Sequence, residues 1–324
     1  MNKEAVIGTD LALAVQLLLA DEVVAVPTET VYGLAGNAFH DRAVSRIFAS
    51  KQRPFFDPLI VHIAERADLG IVADQTPTAY LPLMDHFWPG PLTLVFPRTS
   101  RISDLITSGL ETVAVRMPAH PLFRELLKRL PFPLAAPSAN LFGRTSPTTA
   151  MHVAQQLGDV IPYILDGGPC QVGVESTIVR WTGDGLEILR PGGISREQIQ
   201  AVTDLEVSMK VRSEEQIDIT VPGQLPEHYA PRTPLLLATP ELLQSDLSRD
   251  AVLCLNRQQC CPELNAFQLV ELSPSGDLQE AAARFFAALH ELDASGCRRI
   301  LAVPLPESGL GVAMNDRLRR AAHQ

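Results

Sequence analysis

The chain has 324 residues, 46% hydrophobic and 20% charged, with a formal net charge of −10. That length allows two hydrophobic cores, and the composition excludes collagen-like, low-complexity and disordered classes. Acid exceeds base 22 to 16 up to Glu206 and 15 to 11 beyond it, a poor footprint for gripping RNA through its phosphates.

In chain order, apolar and β-branched runs predict strands at Val23–Val26, Leu59–Ile63, Leu92–Phe96, Thr112–Val115 and Leu134–Ala136. A helix capped by Asp41 carries Val44, Ile47 and Phe48 on one face, and Thr78–His86, Pro121–Arg129 and Thr148–Leu157 read as further helices. Strands Tyr163–Leu165, Thr177–Trp181 and Leu186–Leu189 follow. Crossovers mixed with late hairpin-like strands predict an α/β fold with a mixed, twisted sheet over residues 1–208. Residues 209–234 read as an extended linker or lid, since Val221–Pro234 alone holds four of the 26 prolines. A smaller, Rossmann-like α/β pattern fills residues 235–324. Its strands are Leu235–Leu237, Ala251–Leu255, Phe267–Leu272 and Arg299–Val303. Its helices are Glu241–Leu247, a long one capped by Asp277 and stopped by Gly296, and Asn315–Ala322.

No apolar run approaches the roughly 20 residues of a membrane span, and Glu4 and Asp10 stand where a basic signal start would be. A cytoplasmic protein without membrane contact is expected. Five cysteines at 170, 254, 260, 261 and 297 lack metal-knuckle spacing, so reduced thiols are expected.

Neither a phosphate loop of the G-x-x-x-x-G-K-[ST] type nor G-x-G-x-x-G nor H-E-x-x-H occurs. A nucleotide would have to be held by side chains and backbone amides where strands meet loops. Four segments suit that. Pro27-Thr28-Glu29-Thr30-Val31-Tyr32-Gly33-Leu34 brings hydroxyls, a carboxylate and a phenol out of a buried strand, although composition alone favours a polar turn with a glycine hinge. Lys51 and Arg53 leave a helix end two residues apart, positioned to face one anion, and His62 sits on the next strand. The plainer alternatives are cations complementing a helix C-terminus and a satisfied strand histidine. Arg116 ends an apolar strand, where burial demands a carboxylate or phosphate partner; a structural ion pair satisfies that demand too. Small residues in Ala135-Ala136-Pro137-Ser138-Ala139-Asn140 and Gly143–Pro147 permit close backbone approach, with Ser138, Asn140 and Ser146 as neutral hydrogen-bonding groups.

In order, P-T-E-T-V-Y-G-L, S-K-Q-R-P, P-L-I-V-H, V-A-V-R-M-P, P-S-A-N, E-S-T-I-V and R-P-G-G resemble the YrdC-type family of L-threonylcarbamoyladenylate synthases. His228-Tyr229-Ala230-Pro231 and Asn315-Asp316-Arg317-Leu318 look like its longer, two-domain form, so the resemblance spans nearly the whole chain. It implies ATP-dependent synthesis of L-threonylcarbamoyl-AMP from L-threonine and bicarbonate or CO₂, with Mg²⁺ accompanying ATP. It implies that Thr30, His62, Arg116, Ala136 and Ser176 surround threonine. Arg53, Asp57, Thr112, Ser138, Ser146 and Arg190 would surround ATP, with Lys51 beside the phosphates, Tyr229 closing over the nucleotide, and Thr28 and Asn140 in the same loops. Lys51 and Arg53 are the expected catalytic cations; no metal ligands are assigned. Two departures stand out: Asp57 where related chains often carry Asn, and Pro222–Glu227 where they usually have basic and aromatic residues. Downstream tRNA-modifying transferases are the implied protein partners, with direct tRNA contact weak at most. An RNA-binding module without turnover and a carbamoyl transferase working through carbamoyl-adenylate are the competing readings.

Overall fold

The computed structural model describes residues 4–209, 221, 228–260 and 264–322. Most of the expected linker, including the Pro222–Glu227 departure, and the pair Cys260-Cys261 therefore lie wholly or partly outside the described residues. Eleven strands make one sheet: β1 (Val6–Gly8), β2 (Val24–Val26), β3 (Gly33–Asn37), β4 (Ile60–His62), β5 (Leu92–Pro97), β6 (Thr112–Arg116), β7 (Leu134–Ala135), β8 (Tyr163–Leu165), β9 (Thr177–Trp181), β10 (Leu186–Arg190) and β11 (Val207–Met209). Their order is β1-β8-β2-β3-β7-β4-β6-β5-β9-β10-β11. The sheet is mixed, as expected: β4 and β6 run parallel, while β7 is antiparallel to β4 and β5 to β6. Strands β12 (Leu235–Leu237), β13 (Ala251–Cys254), β14 (Gln268–Glu271) and β15 (Ile300–Ala302) form a second, parallel sheet in the order β12-β15-β13-β14.

The central strands lie between two apolar layers. One side holds the main core around Val61, Val115, Leu94 and Phe96, and the helix Asp41–Lys51 presents Val44, Ile47 and Phe48 to it. Alternation along each strand sends Ile60, Ala114, Val95 and Ile178 to the opposite face, where they meet Leu189 and Val221 of the linker. His62 pairs with Arg116 in register, and both share that second face with Ile60 and Ala114. The functional side chains are thus laid across the middle of the sheet, not gathered at one end of its strands.

Several sequence expectations need correction. No strand is expected at residues 33–37, where two glycines and an asparagine disfavour one, yet they form β3, fully buried between β2 and β7. Packing supplies the reason: a Cβ at Gly36 would lie 3.1 Å from Ile47 Cδ1 and 3.3 Å from Ala43 O. The helix N-cap is His40, not Asp41; Asp41 is the first helical residue, where its charge complements the helix N-terminus. Glu241–Leu247 shrinks to Pro240–Leu243, capped by Thr239, because Asp246 accepts from the Ser248 amide in a local turn instead. The last helix starts at Leu310, not Asn315, since Gly309 at φ 55° makes the turn that launches it. The helix Leu11–Leu19 and the short edge strands β1 and β11 were too brief or too uniformly apolar to declare a period.

The two sheet units share a core. Val31, Val174 and Tyr229 pack into the apolar cluster built mainly by Phe285, Phe286, Leu289 and Met314 of the second unit. The long helix Leu278–Asp293, capped by Asp277, meets the loop at Gly173 so closely that a Cβ there would sit 2.1 Å from Ala282 O. Among the described residues no helix is long and apolar enough to cross a membrane; Cys170 and Cys297 are buried free thiols, and Cys254 is buried as well. Gly173 also has φ 74°, so Gly173→Ala carries both a steric and a backbone penalty. It should cost more than about 1 kcal/mol, lowering the melting temperature by several degrees in a thermal denaturation scan.

Candidate active site

One enclosed cavity lies on the second face of the sheet. Thr28, Thr30, Val31 and Gly33 line it from the first loop, Ile60, His62 and Arg116 from β4 and β6, and Ala136, Pro137 and Ser138 from the loop after β7. Arg53, Glu175, Ser176, Arg190, His228 and Tyr229 complete the wall. The free volume is about 50 Å³, room for a few waters and far below the ~300–1,000 Å³ of ordinary small-molecule pockets. His228 and Tyr229 are 5% and 1% exposed, so the described end of the linker closes the site.

At one end Arg116 is committed to a polar cluster. Its Nη2 donates to Glu29 Oε1 at 2.6 Å, Nη1 to Thr30 Oγ1 at 2.9 Å, and Nε to Gly90 O at 3.2 Å. Thr30 Oγ1 shares a hydrogen bond with Thr28 Oγ1 at 2.8 Å. The ion-pair alternative for Arg116 is therefore realised, while its guanidinium still borders the cavity. His62 beside it is buried, and desolvation first, then Arg116, pushes its pKa down to about 3; it is a neutral ring. Ser176 Oγ bonds Thr93 Oγ1 at 2.7 Å and accepts from Arg190 Nη2 at 3.1 Å.

At the other end cations gather. Lys51 and Arg53 take different protein hydrogen-bond partners, and Gln52 between them adopts a left-handed conformation, φ 53°, which breaks the expected two-residue alternation. Lys51 Nζ donates to Ser138 O at 2.5 Å and Asn140 O at 2.6 Å, and Asn140 uses its side-chain amide on Leu141 O and Arg144 O. Arg53 Nη2 pairs with Asp57 Oδ2 at 2.8 Å. Asp57 is fully buried in this ion pair, so its charge is neutralised by Arg53 and a carboxylate is tolerated beside the cation cluster. Burial, then Arg53, holds the Lys51 pKa well below its usual value, and burial lowers Arg190 to about 10. Burial first, then Arg53, Arg320, Lys51 and Arg317, keeps His228 neutral.

Of the expected site residues, Thr30, His62, Arg116, Ala136, Ser138, Ser176, Arg53, Arg190 and Tyr229 border one cavity. Lys51, Asn140 and Ser146 stand directly behind that wall, Ser146 by donating to Glu175 at 2.6 Å. Thr112 is separated from the cavity: it starts β6 on the Arg116 face, beyond the Ala114 patch that Val221 covers. Glu175 and His228 were quoted in motifs without a role. Arg317 and Arg320 of the last helix also reach this region, within 5.1 and 5.8 Å of the Tyr229 ring centre.

Residues 16–192 match the Sua5/YciO/YrdC family model, described as telomere recombination. Residues 194–323 match the model of the threonylcarbamoyl-AMP synthase C-terminal domain. This chain belongs to the Sua5/YciO/YrdC family. It is 40% identical to the threonylcarbamoyl-AMP synthase of Bacillus subtilis, covering 96% of this chain and 92% of the relative. Against the Pyrococcus abyssi synthase it is 38% identical over 96% and 93%. The crystal structure of P. abyssi Sua5 complexed with L-threonine superposes with a TM-score of 0.87 at 36% identity, covering 96% of this chain and 94% of that one.

Behind the pocket, His152 and His290 stack across the two units with ring centres 4.0 Å apart, and His290 Nε2 donates to Ser146 O at 3.1 Å. Desolvation, then His290, lowers His152 from 6.5 to about 4, and desolvation also lowers His290. With folded-state values below the unfolded one, the unfolded chain binds protons first on acidification. The stability of the neutral pair is complete above about pH 6.5 and declines as pH falls toward 4. Melting temperature should drop between pH 7.5 and pH 5. Replacing both histidines by Gln should flatten part of that slope, His62 supplying another part.

Proposed function

We propose that this chain makes L-threonylcarbamoyl-AMP from L-threonine, bicarbonate or CO₂ and ATP, with release of pyrophosphate, for threonylcarbamoyladenosine formation in tRNA. The observation that carries this reading is polarity within one pocket: Arg116 and Thr30 at one end, Lys51 and Arg53 around the other, and Arg190 held on Ser176 in the same wall. An amino acid carboxylate suits the first end, and a triphosphate suits the second.

Threonine's amine and CO₂ give an N-carboxylate, whose oxygen attacks the α-phosphate of ATP as pyrophosphate leaves. That nucleophile is ionised already, so catalysis rests on in-line placement and on cations meeting the charge that develops. The neutral rings of His62 and His228 and the apolar Ile60 and Ala136 keep the reacting carbamate and mixed anhydride dry. Arg116 would clamp the threonine carboxylate with the edge it presents to the cavity. Lys51, whose charge is penalised by burial, would be favoured as a cation beside phosphate. Mg²⁺ enters with ATP, its ligands drawn from phosphates and water as is usual for that ion; among the described residues no cluster of three acidic, histidine or cysteine side chains would hold it alone. Because the closed cavity is too small for either substrate, residues 228–230 must lift for entry, which makes this part of the linker the lid. The product would pass to separate tRNA-modifying transferases in the cytosol.

Pyrophosphate release measured with Mg²⁺ and ATP should require both threonine and bicarbonate, and chelating the metal should stop it. Mass detection should find threonylcarbamoyl-AMP; silence of the folded protein would end this reading. Lys51→Met should lower kcat by about 10²-fold or more. Tyr229→Ala should lower the melting temperature, since it empties a buried position of the second core, and, assayed where the variant stays folded, reduce product yield at saturating substrate, because an unsealed site loses its intermediates to water; an unchanged yield would remove the lid.

A further inference from the structure

Arg317 is the largest fully buried side chain among the described residues and belongs to the last helix, Leu310–Ala321. It does not serve its own unit alone. Its Nε donates to Glu175 Oε2 at 3.1 Å, across 142 residues of sequence. Nη1 is anchored at home by Asp316 Oδ2 at 2.8 Å. Its guanidinium carbon lies 5.1 Å from the centre of the Tyr229 ring. Burial opposes its charge, yet Tyr229, Glu175 and Asp316 outweigh that and hold it above its usual range.

The other Glu175 oxygen accepts from Ser146 Oγ at 2.6 Å, and the Ser146 carbonyl accepts from His290 of the second unit at 3.1 Å. Both polar groups of Ser146 are therefore tied to the second unit, one through Glu175 and Arg317 and one through His290. Glu175 and Tyr229 line the cavity. Left unpaired, the Glu175 carboxylate would be a buried negative charge on the wall where phosphates are to bind; Arg317 cancels that charge and fixes its direction.

We infer that Arg317 is a positioning residue for the nucleotide end of the pocket: it orients Glu175, through it Ser146, and braces Tyr229, making the second sheet unit a working part of the active site. This rests on the proposed function for the identity of the ligand, a nucleoside triphosphate.

The test uses the full chain with Arg317→Met, Arg317→Lys, Glu175→Gln and the double variant Arg317→Met/Glu175→Gln, in which no buried charge is stranded. Asp250→Asn is the control, breaking the ion pair with Arg298 and Arg299 in the same unit away from the cavity lining. Calorimetry measures the affinity of a non-hydrolysable ATP analogue with Mg²⁺ and, separately, of L-threonine. Arg317→Met and Glu175→Gln should each weaken the analogue tenfold or more with threonine affinity within twofold. The double variant should be no worse than the worse single one, and Arg317→Lys should recover part of the loss. Asp250→Asn should lower the melting temperature and leave both affinities in place. Equal losses for both ligands, multiplying effects in the double variant, or wild-type nucleotide affinity in Arg317→Met would overturn the inference. A wild-type protein that binds the analogue but releases no pyrophosphate with threonine refutes the proposed function alone, and the variant affinities still decide Arg317. A wild-type protein that binds no nucleotide overturns both.

Discussion

Cations packed together out of water are the constraint on which the rest of this structure depends. Lys51, Arg53, Arg190, Arg317 and Arg320 are each less than 7% exposed and close enough to bear jointly on His228 or Arg190. Removing one such charge from water costs several kcal/mol before compensation. The fold compensates locally, with Asp57 for Arg53, Glu175 and Asp316 for Arg317, and two carbonyls for Lys51. Apart from Asp316 on the last helix, these partners come from segments around the cavity. Stability and ligand geometry are consequently the same problem here, and the loops around the pocket are held by the charges they serve.

The same arrangement explains why two units behave as one body. The second unit contributes no residue to the cavity lining, yet Val31, Val174 and Tyr229 complete its apolar core. Three pocket-forming segments therefore have their apolar side chains in the second unit and their polar side chains toward the cavity. Gly173 lets the Val174 segment approach helix backbone directly, and the glutamate two residues later meets Arg317.

Much of this was legible from residue order. Central strands such as Leu92–Pro97 and Thr112–Arg116 are continuous β-branched and apolar runs because both of their faces are covered. Asp277 announced the long helix through a cap that the structure contains. The site residues appeared as short motifs because each loop had to return polar groups to one place. What could not be read were features set by partners distant in sequence. Strand β3 contradicts its own propensities because Ile47 and Ala43 need the space a side chain would fill. The Arg53–Asp57 pair, only four residues apart, lay within reach of a local reading, and it turns a doubtful carboxylate into a neutralised one. The part played by Arg317 depends on Glu175, 142 positions earlier, and no local pattern encodes that.

Val221 covers the patch of Ile60, Val95, Ala114, Ile178 and Leu189 on the catalytic face of the sheet, with itself only 1% exposed. Any excursion of the linker away from the sheet wets that patch and Val221 together, at a cost of about 1.5–3 kcal/mol for the valine alone. The seated position of Val221 therefore draws part of its stability from water's aversion to that exposed surface.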